Sequence, residues 1–300
     1  MDNIQKKIQE TAKKLLAEKK VDVVIGYKAG SNSLRVTPYF VRNPNDAQKI
    51  IWNQYCTHNL SNYLPGLKEE KVAIVAKGCD SRSIVEILKN EQAKRERIYI
   101  IGVVCHGIIS EKKVIAQKKD KAMTEKIEFD ISLLEPRCTQ CICHTPPLAD
   151  TLIGEPFVEG APPETPPHIE KFLKLSPKER LDYWKKTFER CIKCNACKEV
   201  CPNCFCEKCV LTDHPEWIDK PRKKEQLWLY QLIRVFHNAG RCTECGQCVR
   251  ACPMEIPIGL LIKPMLIETK NLFGYESGLS LEEKDPLVTY QLENDEGLIK

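Results

Sequence analysis

The chain has 300 residues, 42% of them hydrophobic and 29% charged, an ordinary water-compatible balance sized for about two domains. Its 46 basic and 41 acidic side chains give a formal charge of +5, and its 17 cysteines set it apart. A reducing compartment does not keep so many cysteines as disulfides, which excludes a secreted disulfide scaffold and leaves metal, iron–sulfur clusters foremost.

In chain order, Ile4 to Lys19 predicts an amphipathic helix with Ile4, Ile8, Ala12, Leu15 and Leu16 near one face. The lysine-rich start, Met1 to Lys20, has no apolar signal core, so a cytoplasmic location is expected. Val21–Gly26 and Leu34–Val41 read as strands. Val72–Ala76, a helix over Ser81–Arg97 capped by Asp80 or Ser81, and Ile98–Val104 form one βαβ unit, whose strands should be parallel with a right-handed crossover. The longest apolar run, Ile98–Ser110, is broken by Gly102, His106 and Gly107 and is too short for a membrane span. Five prolines mark 155–168 as a linker between a first domain, 1–154, and a second, 169–274, with 275–300 as a tail over the surface. Ser176-Pro177-Lys178-Glu179 is a capping box that starts a helix to about Arg190. Lys223–Asn238 reads as a helix buried on several sides and closed by Gly240.

Cys191, Cys194, Cys197 and Cys201-Pro202 spell CxxCxxCxxxCP, and Cys242, Cys245, Cys248 and Cys252-Pro253 repeat it. Three thiolates two residues apart wrap one face of a four-iron cube, and the fourth, beside proline, ligates the other cluster. The expected ligand sets are Cys191, Cys194, Cys197 with Cys252, and Cys242, Cys245, Cys248 with Cys201. Zinc sites rarely show triple spacing followed by Cys-Pro. Cys204, Cys206 and Cys209 lie between the repeats, either as small buried side chains or as ligands of a further metal. The helical insert between the motifs resembles the alpha-helical ferredoxin domain of fumarate reductase iron–sulfur subunits and heterodisulfide reductase small subunits, over about Ser176 to Lys270. The expected fold is an α/β N-terminal domain followed by an all-α helical ferredoxin domain with two 4Fe-4S clusters.

A second constellation precedes the linker. Cys79 and Cys105 each follow a strand and should emerge at one carboxyl edge of the sheet, where open α/β folds bind ligands. Cys138-Thr-Gln-Cys141-Ile-Cys143 then supplies a CxxC loop. Cys79, Cys105, Cys138 and Cys141 make a four-thiolate site, with Cys143 or Cys56 as a substitute member. His106, beside it, is either an outer hydrogen-bond donor to the site or an ordinary satisfied histidine. An oxidised four-iron cluster with its thiolates carries about −2, so three of them take +5 to about −1. The mild basicity is therefore no argument for nucleic acid, and no aromatic–arginine platform for bases occurs.

Lys77-Gly78-Cys79-Asp80-Ser81-Arg82, Ile101-Gly102-Val103-Val104-Cys105-His106-Gly107, the CTQC run and Cys56–Leu64 together resemble the beta-subunit family of deazaflavin-dependent hydrogenases and formate dehydrogenases. The resemblance implies an iron–sulfur flavoprotein subunit that passes electrons between a soluble hydride carrier and a partner subunit of a larger redox complex. FAD is then a candidate cofactor, with Lys28, Gly78, Asp80 and Ser81 as candidate contacts at the sheet edge. The N-terminal motif of many hydrogenase members is missing, which leaves the carrier open. The alternative is a pure electron relay without flavin or substrate. No nucleophile–base pair, P-loop or G-x-G-x-x-G is present.

Overall fold

A computed structural model describes residues 2–117, 129–156, 165–212 and 227–289. The chain divides into two compact units, Met1–Glu164 and Thr165–Lys300. The middle of the proline-rich stretch, 157–164, lies outside the described residues. Its end is helical: the first helix of the second unit starts at Pro167, because proline suits the first helical turn, where no N–H is needed.

In the first unit, helix α1 (Asp2–Ala17) lays Ile8, Ala12, Leu15 and Leu16 into the core and stops before Lys19, whose φ is 53°. The strands are β1 (Val23–Ala29), β2 (Val36–Val41), β3 (Val72–Ala76), β4 (Ile98–Val103) and β5 (Thr151–Ile153). They form one sheet in the order β2-β1-β3-β4-β5. β2 joins β1 antiparallel, and the other pairings are parallel. β3 is apolar and buried throughout, as a strand covered on both faces must be. β1 runs three residues beyond the expected Gly26, because Tyr27 to Ala29 stay paired with β2.

Helix α2 (Gly78–Lys89) differs from its expected limits at both ends. The N-cap is Lys77, whose N–H donates to the Asp80 carboxylate at 2.9 Å. The helix ends at Lys89, short of Arg97, because the Asn90 side chain bonds back to the Glu86 carbonyl and Glu91 takes a left-handed φ of 57°. Helix α3 (Glu111–Gln117) closes this unit's helix set among the described residues.

In the second unit the described elements are helical: α4 (Pro167–Leu173), α5 (Pro177–Phe188), α6 (Ala196–Glu199), α7 (Leu227–Phe236), α8 (Gln247–Arg250) and α9 (Gly259–Phe273). The Ser176 hydroxyl accepts the Glu179 N–H, and the Glu179 carboxylate accepts the Ser176 N–H at 2.7 Å, so the capping box forms. The expected start of the next helix, Lys223, lies outside the described residues. Phe172, Trp184, Phe188, Leu227, Val235 and Ile262 form a core into which cysteine loops pack.

Two expectations need correction. Gly240 is not a left-handed helix cap; it is a close-approach point, because a Cβ there would collide with the Asp285 carboxylate. The described part of the tail does not simply cover the surface: Tyr275, Ser277 and Asp285 are buried, and Asp285 pairs with Arg241 at 3.0 Å. We predict that Gly240→Ala costs about 1–3 kcal/mol through overpacking. A lowered thermal midpoint of the full chain checks this, and an unchanged midpoint would mean that the Asp285 segment yields freely.

Candidate metal centres

The first thiol group is placed by strand register. Ala76 of β3 faces Gly102 of β4, and Cys79 and Cys105 each stand three positions further on, so both reach the carboxyl edge together. The chain from 138 to 144 returns to that edge. The Cys105 N–H donates to the His144 carbonyl at 3.0 Å, and His144 Nδ1 lies 2.7 Å from the Cys105 carbonyl. Gly78 is required here for close approach, because a Cβ would collide with the Cys143 carbonyl. Cys143 donates to the Thr145 carbonyl at 3.2 Å.

Electrostatics mark the same grouping. Burial pushes the Cys105 thiol up to about 12, with Cys138 and Cys141 adding to it and Lys77 opposing. Burial also raises Cys79, which feels Asp80 and Cys105. Cys56 is fully buried, and burial pushes its thiol up to about 12; its Sγ accepts the Asn53 N–H at 3.4 Å. His106 is exposed.

The edge is locked by a buried ion pair that sequence reading missed. Lys77 Nζ lies 2.7 Å from the Asp80 carboxylate, with side chains 1% and 0% exposed. It also donates to the His58 carbonyl at 3.0 Å and to the Tyr27 hydroxyl. Burial works against this ammonium, yet Asp80 and Tyr27 outweigh it and raise its pKa. The other Asp80 oxygen accepts the Leu60 N–H at 3.2 Å. Ser81 donates to the Leu148 carbonyl at 2.7 Å. Lys28 is exposed on β1, 5.2 Å from the Tyr39 ring centroid. Gly78, Asp80 and Ser81 are thus engaged with this chain's own groups.

The second unit repeats one loop twice. Lys193 and Asn195 take φ of 52° and 59°, and Glu244 and Gly246, 51 positions later, take 55° and 67°. Each left-handed turn precedes a one-turn helix, α6 or α8. Such turns fold backbone N–H groups onto sulfur: the Lys193 N–H lies 3.4 Å from Cys191 Sγ. Cys191, Cys194, Cys197 and Cys252 line one pocket, with Gln231 and Ile258 among its other walls. Cys201 has thiols of the other motif, Cys245 and Cys248, among its neighbours. Its thiol is raised by the hydrogen bond with Cys204 and by burial, with Cys204, Cys245 and Cys248 as charged neighbours. Burial raises Cys242 too, with Cys245 and Cys248 beside it. Cys204 is lowered to about 6, chiefly by its bond to Cys201. Cys206 is exposed, and Cys209 lies within electrostatic reach of Tyr230.

Helix α7 also carries polar groups that sequence reading passed over. Gln231 Nε2 reaches Cys191 Sγ at 3.8 Å and Cys197 Sγ at 3.9 Å. Burial works against the Arg234 charge, and Cys197, Cys248, Cys201 and Cys204 outweigh it. Asn238 Nδ2 reaches Cys204 Sγ at 3.6 Å. The signal was available: Gln231, Arg234 and Asn238 fall at i, i+3 and i+7 of an otherwise apolar helix.

The donor chemistry fits iron–sulfur clusters: soft thiol donors in fours, with N–H groups on sulfur. Among the described residues no group of three or more His, Cys, Asp or Glu side chains closes on a single-ion site.

The family profile for the C terminus of the coenzyme F420 hydrogenase/dehydrogenase beta subunit matches residues 69–135. A 4Fe-4S dicluster domain profile matches 186–256. The F420-dependent formate dehydrogenase subunit beta of Methanocaldococcus jannaschii is 28% identical, over 89% of this chain and 90% of that protein. Over most of its length the chain is similar to this beta-subunit family. It is an iron–sulfur electron-transfer subunit of an oxidoreductase, with an α/β sheet unit and a 4Fe-4S dicluster domain. A second relative, the F420-dependent formate dehydrogenase 1 subunit beta of Methanococcus maripaludis, is 25% identical, over 90% of this chain and 89% of that protein. A chain of the F420-reducing nickel–iron hydrogenase complex of Methanosarcina barkeri is 17% identical with a TM-score of 0.40, covering 50% of this chain and 65% of that one. No helix among the described residues is long and apolar enough to cross a membrane.

We predict that Asp80→Asn costs about 3–5 kcal/mol, because it strands a buried ammonium. Denaturant unfolding of the full chain reads this out, and a loss below about 1 kcal/mol would show that Lys77 finds another partner.

Proposed function

We propose that this subunit relays electrons between the soluble deazaflavin coenzyme F420 and a partner redox subunit of a larger cytoplasmic complex, such as a formate dehydrogenase, a hydrogenase or a heterodisulfide-reductase-like flavoprotein. The observation that carries the reading is the cavity shared by Cys191, Cys194, Cys197 and Cys252. It supports crossed ligation in a helical ferredoxin domain: that set holds one 4Fe-4S cluster, and Cys201 joins Cys242, Cys245 and Cys248 on the other. Cys79, Cys105, Cys138 and Cys141 hold a third, supported by the shared strand register and by the mutual influence of their thiols. The carrier is taken from the relatives, whose names state dependence on F420. A cytoplasmic location agrees with thiolate ligands that must stay reduced.

Clusters supply one-electron steps, and a flavin such as FAD would convert these to hydride exchange. The residues themselves hold the thiolates, exclude water and aim N–H groups at sulfur. A second reading, a relay without flavin in this chain, is favoured by one observation. Asp80 and Ser81 spend their polar atoms on Lys77, Leu60 and Leu148, and Gly78 is filled by Cys143. Acid precipitation of the anaerobically purified chain, followed by supernatant fluorescence, separates the two readings: released flavin supports the first and its absence the second.

Two outcomes are expected. Anaerobic iron analysis should give about twelve irons per chain, by the count of three four-iron clusters. About eight would remove the N-terminal cluster, and about sixteen would add one involving Cys204, Cys206 and Cys209. Cys201→Ser should alter the spectroscopic signal of the cluster on Cys242, Cys245 and Cys248 and spare the other. Loss of the Cys191 cluster instead would sink crossed ligation.

A further inference from the structure

Helix α7 lays a polar seam among the thiols of both motifs. Gln231 contacts Cys191 and Cys197, which belong to one proposed set. Asn238 Oδ1 lies 3.9 Å from Cys201 Sγ, which belongs to the other. Arg234 stands between these two along the same helix face, with its Nε donating to Gln231 at 3.1 Å. Its main-chain carbonyl accepts the Asn238 side chain at 2.9 Å, so the three residues form one connected row. Arg234 is 3% exposed. Its charge helps to lower the Cys204 thiol, and Nη2 is buried with no hydrogen-bond partner among the described residues.

A buried, under-bonded cation in an apolar helix is costly unless negative charge lies beside it. Here that charge comes from both sides. Arg234 interacts with Cys197 of one set and with Cys201 and Cys248 of the other. Each loaded site carries net negative charge, and reduction adds one more electron. Arginine keeps its proton even when desolvated, so its charge is constant through the redox cycle. A fixed cation stabilises the reduced form of a neighbouring cluster more than the oxidised form, and therefore raises its potential.

We propose that Arg234 is a shared electrostatic post between the two cluster sites, raising the reduction potentials of both, with Gln231 and Asn238 holding it in place. Arg234 is thus a positioning and tuning residue that ligates neither cluster. One charge reaching both sites shifts both potentials in the same direction.

The test is an anaerobic redox titration of the full-length, cluster-loaded protein, followed by EPR, with iron measured on the same samples. Arg234→Met should make both clusters at least tenfold harder to reduce, a fall of about 59 mV for a one-electron couple. Arg234→Lys, which keeps the charge, should stay within threefold of wild type. Unchanged potentials in a fully loaded methionine variant overturn the proposal, as does a lysine variant that falls as far as methionine. If methionine prevents loading, Arg234→Gln is the neutral comparison with the same criteria. The inference rests on the ligand sets proposed above, and iron content keeps the two failures apart. Wild-type protein with fewer than two clusters in this unit sinks the ligand sets. Full iron with immovable potentials sinks only the role of Arg234.

Discussion

Cys252 lines the same cavity as Cys191, Cys194 and Cys197, although 61 positions separate the outermost pair. The intervening chain must go out and return, and α7 lies on its way back, with Leu227 and Val235 in the apolar core and Gln231 against the thiols. On the proposed crossed ligation neither motif completes its own site, so the two loops stand or fall together. The matched left-handed turns at Asn195 and Gly246 show how alike the two loops must be for that exchange. Strain of about 1 kcal/mol or more at Asn195, a non-glycine residue, is accepted because the turn presents N–H groups to sulfur.

The first unit reaches a similar end by other means. Its thiols are gathered by a parallel sheet, where one register error would move Cys79 and Cys105 to different levels. The Lys77–Asp80 pair protects that register. It joins the end of β3 to the first turn of α2, and through Tyr27 and the His58 carbonyl it reaches β1 and the loop before Leu60. The same ammonium lies near Cys56, Cys79 and Cys105 and opposes the burial that raises their thiols. A group that looks structural therefore also sets the charge environment of the sheet edge.

What was legible in the sequence was what depends on short spacing. The cysteine repeats, the capping box at Ser176 and the β3-α2-β4 unit are each encoded within a few turns of chain. What escaped depends on tertiary contact. β5 has only Thr151, Leu152 and Ile153, too few to show a period, and exists because β4 offers it an edge. The overrun of α2 came from helix-favouring residues after Lys89, stopped by Asn90 folding back on Glu86. Nothing in the sequence marks Lys77 for burial, because lysine is rarely buried, and only the fold reveals Asp80 and Tyr27 around it. Gly240 looked like a helix stop, since the carboxylate that needs its missing side chain lies 45 positions away.

That carboxylate bears on the order in which the molecule is made. Asp285 anchors Arg241, the residue just before Cys242, and the Asn203 side chain donates to the Arg241 carbonyl. During synthesis from the N-terminus, the loop that opens at Cys242 gains its second anchor only after the chain has grown a further 43 residues. Until then its thiols are held from one side. The later segment acts as a clasp, so this metal centre is fastened only once the ribosome has moved well past the cysteines that build it.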